Sequence, residues 1–291
     1  MESLLSVAFD NLSSKEIPRV RKGLRQIDGL LSQICLAKAR SPSKRKSSAL
    51  QDKSQLVLRQ LHELSADPAF AEFFRIQDSF QWNIASQIIS TLEALLSMIS
   101  TSHTDIVILS ALDVLQGVLL LHPPSRSLFN REPSMNLLLD LLDSANPPKI
   151  QSQAILVLVT ALLDNPRNTR TFEEIDGLLC VTSVFKSRTS TKEVKMRTLE
   201  FLYFYLMPEV PVKMSSAPNT AVMGRNPGKE DHPPRHAHTY SQDSGGGMDI
   251  DIPSHTRAID EKQAFLSKHL NNVSELVSDL RESSPFGAFM S

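Results

Sequence analysis

Two stretches of this 291-residue chain share one pattern at an offset of 43 residues. The first is HPPSRSLFNREPSMNLLLDLL, from His122 to Leu142; the second is NPRNTRTFEEIDGLLCVTSVF, from Asn165 to Phe185. Each opens on a polar residue and a proline, reaches a Phe, bends through polar residues and enters an apolar run. The likeness extends upstream. Ala111, Leu112, Leu115, Leu119, His122 and Pro123 map onto Ala154, Ile155, Leu158, Leu162, Asn165 and Pro166, and Phe129, Met135 and Leu142 map onto Phe172, Leu178 and Phe185. A third copy of the long helix is read at the same offset, with Leu156, Val159 and Leu163 mapping onto Leu199, Leu202 and Leu206. One unit is then a long helix, a proline corner, a short Phe-bearing turn and a second helix. A lone helix pair cannot bury both of its apolar faces, whereas stacked neighbours bury them in a continuous core. The expected fold class is therefore all-α: an armadillo/HEAT-like helical solenoid. The prolines stop the long helices at the corners. Phe129 and Phe172 are expected to plug the corners into the core, and Arg126 and Arg170, which sit 44 residues apart, read as corner or surface residues.

Upstream of the period the same helical grammar holds less regularly. Ile17, Val20, Leu24, Ile27, Leu31 and Ile34 step by three and four, which predicts a helix over 14–39 with one apolar face. Ser13 and Glu16 fit a capping box at its start, and Lys15, Arg19, Lys22 and Arg25 take the opposite face. A loop with the basic cluster Lys38, Arg40, Lys44, Arg45 and Lys46 follows. Further helices are expected from about Ala49 to Leu64, with Leu50, Val57, Leu61 and Leu64 inward, over a short aromatic-rich segment, and from about Gln81 to Ile99. Strand signals are weak throughout. Composition changes at Pro208: 7 of the 17 prolines and 5 of the 10 glycines fall between there and Pro253, which predicts a disordered linker. Leu266, Leu270, Val273, Val277 and Leu280 then mark one last amphipathic helix, too short to stand alone and so expected to dock back on the solenoid. The organisation read is a repeat domain over 1–209, a linker over 210–255, and a C-terminal helix and tail over 256–291.

A net charge of −1 gives no general attraction to nucleic acid or anionic membrane. Two distant cysteines, Cys35 and Cys180, disfavour a disulfide framework and a cysteine-held zinc, and Cys180 reads as a buried small hydrophobe. MESLLSVAFDNL lacks a basic n-region and does not read as a signal peptide. The longest stretches without charge, Ser79 to Leu92 among them, are too short to span a bilayer. The expected location is cytosolic or nuclear, without membrane insertion.

Searching for chemistry returns little. GRNPGKE has the wrong spacing for a phosphate-binding loop, GGGM at 245–248 follows no strand, and no GxSxG or HExxH occurs. His232, His236 and His238 crowd together, as do Asp249 and Asp251, but both sets sit in the linker, where solvated side chains are the favoured reading over a metal site. Neither a cofactor nor a catalytic residue is expected. Trp82 with Phe70, Phe73, Phe74 and Phe80 reads as core rather than as a peptide pocket. Ser41-Pro42 and Ser284-Pro285 are candidate sites for proline-directed phosphorylation at Ser41 and Ser284.

The segments DSFQWNIASQIISTLEALL (78–96), LEFLYFYLMPE (199–209) and KQAFLSKHLNNVSELVSDLRESSPFG (262–287) resemble the fungal cell division control protein 14 family of the septation initiation network, which is distinct from the phosphatase sharing that name. The resemblance covers about 1–209 and 258–287. It implies a non-catalytic partner of a germinal-centre-type Ser/Thr protein kinase, acting at the spindle pole body to promote septum formation and cytokinesis. On that reading the partner lies in a shallow groove lined by the exposed face of the second helices, with Gln116, Gln153, Lys192, Lys195, Arg197 and Tyr203 as the candidate contacts. The alternative is a nuclear or nucleic-acid-associated adaptor using the basic 38–46 cluster.

Overall fold

The computed structural model describes residues 1–38, 56–58, 64, 66–98, 101–209 and 255–282. The linker residues 210–254 lie outside these, with the histidine and aspartate clusters in them, as do Ser41, Ser284 and the basic cluster beyond Lys38.

The described residues are helical except for one short strand pair. Helix α1 spans Glu2–Leu12 and α2 spans Ile17–Cys35. Strand β1, Leu36–Lys38, pairs antiparallel with β2, Leu56–Leu58. Helix α3 is Pro68–Gln77 and α4 is Ile84–Leu96, separated by a 3-10 turn at Phe80–Trp82. Then follow α5 (Ser102–Leu121), a 3-10 segment (Pro123–Asn130), α6 (Glu132–Asp140), α7 (Pro148–Leu162), α8 (Pro166–Glu174), α9 (Gly177–Lys186) and α10 (Lys192–Leu206). Helices α11 (Ile259–Ser267) and α12 (Val273–Glu282) follow.

Four long helices, α2, α5, α7 and α10, stack side by side in that order, and the shorter helices cover one side of the stack. The core runs through it without a break, from Leu5 and Leu24 to Phe201 and Leu266. Helix α5 is long and apolar enough to cross a membrane by length and composition alone, but 56% of that span is buried, and α2, α4 and α7 pack against it.

Local expectations are met unevenly. The α2 stripe is buried from Val20 to Ile34, with Ile17 half-buried, while Lys15, Arg19, Lys22 and Arg25 are exposed. Its N-cap is Glu16, not Ser13: Ser13 ends α1, and the Ser14 hydroxyl accepts the Glu16 N–H at 3.2 Å. Pro18 sits in the first turn, where a missing N–H costs nothing. Of the helix expected over 49–64 only Leu56–Leu58 and Leu64 are described, and Leu56–Leu58 form a strand in which LVL pairs with LAK; a short apolar run fits strand as well as helix. The C-terminal stripe is not one helix. It breaks between Ser267 and Val273, although Leu266, Leu270 and Val273 are all buried. In the aromatic group Phe73 is buried and Phe70, Phe74 and Trp82 are half-buried, but Phe80 is 87% exposed.

Burial can be compared with the 43-residue offset. Val107, Ile108, Ala111, Leu112, Leu115 and Leu119 of α5 have buried counterparts 43 residues on in α7, from Ile150 to Leu162. From α7 to α10 the buried sets superpose at 44, not 43: Ile150, Ala154, Val157, Leu158, Ala161 and Leu162 answer to Val194, Thr198, Phe201, Leu202, Tyr205 and Leu206. Leu156, Val159 and Leu163 therefore correspond to Glu200, Tyr203 and Met207. Met135 and Leu138 still match the buried Leu178 and Val181 at 43, so the extra residue enters between α9 and α10.

Phe129 and Phe172 are fully buried in their corners, and Phe172 meets Phe201 edge-on with centroids 5.5 Å apart. A Cβ at Gly177 would stand 2.3 Å from the Phe172 ring, so the α8–α9 junction requires glycine there. Truncating Phe172→Ala is expected to cost about 3–5 kcal/mol of unfolding free energy, and Phe80→Ala less than about 0.5 kcal/mol. Urea unfolding of the two variants followed by circular dichroism checks the contrast.

Candidate functional site

The corners carry most of the polar chemistry. Arg126 and Arg170 are buried, contrary to a surface reading. Arg126 donates through Nε to the Leu119 carbonyl at 3.1 Å and through Nη1 to the Leu163 carbonyl at 2.9 Å. It thereby ties the end of α5 to the end of α7. Asn168 donates to the Ala161 and Arg126 carbonyls, at 2.6 and 2.8 Å, and Asn83 donates to the Gln77 carbonyl at 2.7 Å. These are carbonyls at helix C-termini, which no intrahelical N–H can reach.

One corner assembles a serine, a histidine and an aspartate. His122 Nδ1 lies 2.8 Å from Ser125 Oγ, and Nε2 lies 3.1 Å from Asp78 Oδ1. Asn83 Nδ2 donates to the same Ser125 Oγ at 2.9 Å. The consistent assignment has Nε2–H donating to Asp78 and Nδ1 accepting from the serine hydroxyl. Ser125 is 3% exposed and His122 1%, so a substrate carbonyl cannot approach the hydroxyl. The constellation is a bracket between α3, α4 and α5. It was missed in the sequence because Asp78 and Asn83 lie 44 and 42 residues from their partners. Among the described residues no group of three or more His, Cys, Asp or Glu is placed to hold a metal ion. Burial raises the Cys180 thiol pKa, with Asp140 and Asp143 adding to it, and the half-buried residue packs against the core.

The six candidate contact residues lie on the long helices, not on the second helices of each unit. Gln153 Nε2 of α7 donates to Gln116 Oε1 of α5 at 2.9 Å. Arg197 takes the register of Gln153 on α10 and pairs with Glu200 at 2.9 Å. Tyr203 takes the register of Val159, and these residues share the outer face of the stack. Lys192 begins α10 and is exposed, and it lines a shallow groove with Met196 and Arg197. Lys195 is half-buried. Its register is that of Gln151, which turns inward to donate to the Leu142 and Asp143 carbonyls. On the same outer face Asp28 of α2 approaches Asp113 of α5, and burial together with the Asp28 charge raises the Asp113 carboxyl pKa.

A second centre forms where α11 meets α8 and the end of α10. Arg170 donates to Glu209 at 2.7 Å and pairs with Glu173 at 3.0 Å. Arg257 pairs with Glu173, Lys262 pairs with Glu209 at 3.2 Å, and the Tyr205 hydroxyl donates to Glu173 at 2.7 Å. The Glu173, Glu209 and Lys262 side chains are each under 10% exposed. Burial raises the Glu173 pKa, opposed by the Tyr205 hydroxyl and Arg170, and burial lowers the Lys262 pKa, opposed by Glu209. Lys262 also donates to the Met207 carbonyl at 2.9 Å. A cavity of about 230 Å³ lies beside this cluster, walled by Leu163, Phe204, Met207 and Pro208.

This is an all-helical protein whose conspicuous polar clusters join one element to the next rather than face a substrate. Residues 1–286 match the family described as "Cell division control protein 14, SIN component", and the chain belongs to that family of the septation initiation network, not to the phosphatases of similar name. It is 28% identical over 295 residues to the "Cell division control protein 14" of Schizosaccharomyces pombe (strain 972 / ATCC 24843), across 99% of this chain and 97% of the relative. No solved structure matches it.

Two outcomes follow from this geometry. Burial lowers the His122 pKa below its ordinary value, against the pull of Asp78. The folded state therefore binds this proton less readily than the unfolded one, and stability from this site is full above about pH 6.5 and falls as pH drops through that value. Replacing His122→Asn, the residue at the equivalent corner position Asn165, should flatten the stability slope between pH 7.5 and 5.5. Chemical denaturation at several pH values reads it. Removing a carboxylate with Glu209→Ala leaves Lys262 buried without an acidic partner at 3.2 Å. A local destabilisation of about 3 kcal/mol is expected, seen as faster amide exchange over 259–267 with exchange in α5 unchanged.

Proposed function

We propose that this chain is a non-catalytic scaffold subunit that binds a germinal-centre-type Ser/Thr protein kinase and promotes septum formation and cytokinesis, acting from the cytoplasm with recruitment to the spindle pole body. Its repeat region, 1–209, is an armadillo/HEAT-like solenoid, joined through the 210–255 linker to a C-terminal unit over 256–291. The observation that carries the reading is the outer face of the stacked long helices. Gln116, Gln153, Arg197 and Tyr203 come to that face from three successive helices, in a fold whose buried polar groups serve the helix corners. Such a face is broad and shallow, which suits a protein partner better than a small substrate. Lys192 adds to its edge, whereas Lys195 contributes at most from the flank. Membership of the septation initiation network family supports the cell-division setting.

The full chain purified from its own cells should elute from gel filtration as a 1:1 complex with a Ser/Thr kinase. Crosslinks from the kinase should fall on α5, α7 and α10. A preparation that carries no kinase, or crosslinks confined to α6 and α9, would sink the reading.

A further inference from the structure

We propose that the open edge between α1 and α2 is a docking site for a helical segment of a partner protein, apolar at one end and acidic at the other. The inference goes beyond the scaffold reading, which concerns the face of α5, α7 and α10.

Helices α1 and α2 are joined by residues 13–16 and run antiparallel. They approach closely at Gly23, where a Cβ would stand 2.8 Å from the Ala8 carbonyl oxygen and 3.1 Å from the Asn11 Cβ. Beside this contact Asn11 Nδ2 donates to Gln26 Oε1 at 2.9 Å. That bond fixes which sides of the two helices share the edge. Leu4 and Val7 precede Asn11 by two turns and one, on its side of α1, and are 62% and 50% exposed. Arg19 and Lys22 precede Gln26 by two turns and one, on its side of α2, and both are exposed. Because the helices are antiparallel, the two pairs extend from the hydrogen bond in opposite directions. One end of the edge is apolar, with half-buried Leu30 opposite Leu4 and Val7, and the other is cationic, with exposed Lys15 beyond Arg19.

The charge at the cationic end is unopposed. Lys15, Arg19, Arg21, Lys22 and Arg25 are exposed, and among the described residues none pairs with a carboxylate. Glu16 is the one acidic residue in that stretch. Asp10 and Asp28 stand off the edge, about 100° around α1 from Asn11 and about 200° around α2 from Gln26, and Glu2 lies 4.0 Å from Arg75. Folding by itself disfavours this arrangement. Arg19 and Lys22, Lys22 and Arg25, and Arg21 and Arg25 are like-charged neighbours on one helix, and they crowd the end whose dipole repels cations. Carboxylates on an incoming segment relieve both costs.

The two ends together select the occupant. A nucleic acid would meet the cations and leave Leu4 and Val7 in water. A bilayer carries its charge in a layer above its apolar interior, whereas here the two chemistries lie in line along one edge. A protein helix laid along that edge can match both. Leu30 and Arg19 are separated by about 16.5 Å along α2. The occupant covers that length in about three turns, so its acidic residues fall about three turns from its apolar ones.

The test uses the full chain and two synthetic peptides of roughly 20 residues, each with leucines in its first turns. One carries glutamates about three turns on, and its twin carries lysines there. Fluorescence anisotropy at about 0.15 M salt should show saturable binding of the glutamate peptide, about tenfold tighter than its twin. Arg19→Glu with Lys22→Glu should weaken that binding about tenfold, and Leu4→Ser with Val7→Ser about fivefold. All four positions are exposed, so neither variant should lower the thermal unfolding midpoint. If the charge reversal fails to fold, the serine variant decides. Equal binding of the twins, no binding of the glutamate peptide, or indifference to the serine variant overturns the inference. So does tighter binding of duplex DNA or of phosphatidylserine vesicles than of the glutamate peptide.

Discussion

Every α-helix ends in carbonyls that the helix cannot satisfy, and in a stack of helices those ends are buried. The next corner supplies the donors in this chain. Asn83 serves Gln77, Arg126 serves Leu119 and Leu163, and Asn168 serves Ala161. Each donor is a side chain from the segment that follows the helix it caps, and Arg126 reaches into the next unit as well. The register of one unit is therefore set by the polar termini of its neighbour, and the apolar contacts between the long helices then fall into place.

The same constraint explains why the chain returns after residue 255. Among the described residues, helix α10 is the last of the four stacked long helices. The Met207 carbonyl, just beyond its end, takes its donor from Lys262 of α11. Lysine is an awkward donor to bury, and its charge is met by Glu209. Glu209 in turn is met by Arg170 of the preceding corner. The C-terminal helix thus satisfies a carbonyl at the end of α10 as the corner side chains do for the earlier helices, with a different residue type.

The sequence made the units legible because burial and helical period act locally. The stripe on α2, the two proline corners and the plugging phenylalanines all follow from residues within one or two turns of one another. Hydropathy hid the rest. It counts arginine as a surface residue and so leaves Arg126 and Arg170 as corner or surface residues, whereas each is buried in its corner by bonds to carbonyls or carboxylates. The step from 43 to 44 residues could not be seen either, because Leu199, Leu202 and Leu206 supply a leucine at every position of the wrong register. The strand pair at Leu36–Lys38 and Leu56–Leu58 depends on an encounter across 18 or more residues, which period alone does not encode. On the outer face, types and spacing were enough to name Gln116 and Gln153, but only the fold shows that they touch.

The cluster beneath α11 contains three cations and two carboxylates, and Arg170 Nε and Nη1 have no partner in it. Removing such charges from water costs several kcal/mol per ion before their mutual attraction is counted. An apolar contact between α10 and α11 would hold the helix at least as tightly. It would not fix where the helix sits, since leucines slide past one another by a turn at small cost. Glu173 can meet Arg257 and Glu209 can meet Lys262 in one alignment only, with Arg257 lying 4.0 Å over the Phe265 ring. The ionic cluster is therefore better understood as setting position than as adding strength. That position brings Lys262 to the edge of the cavity between Leu163 and Met207, so the placement of α11 and the shape of the outer face are determined together.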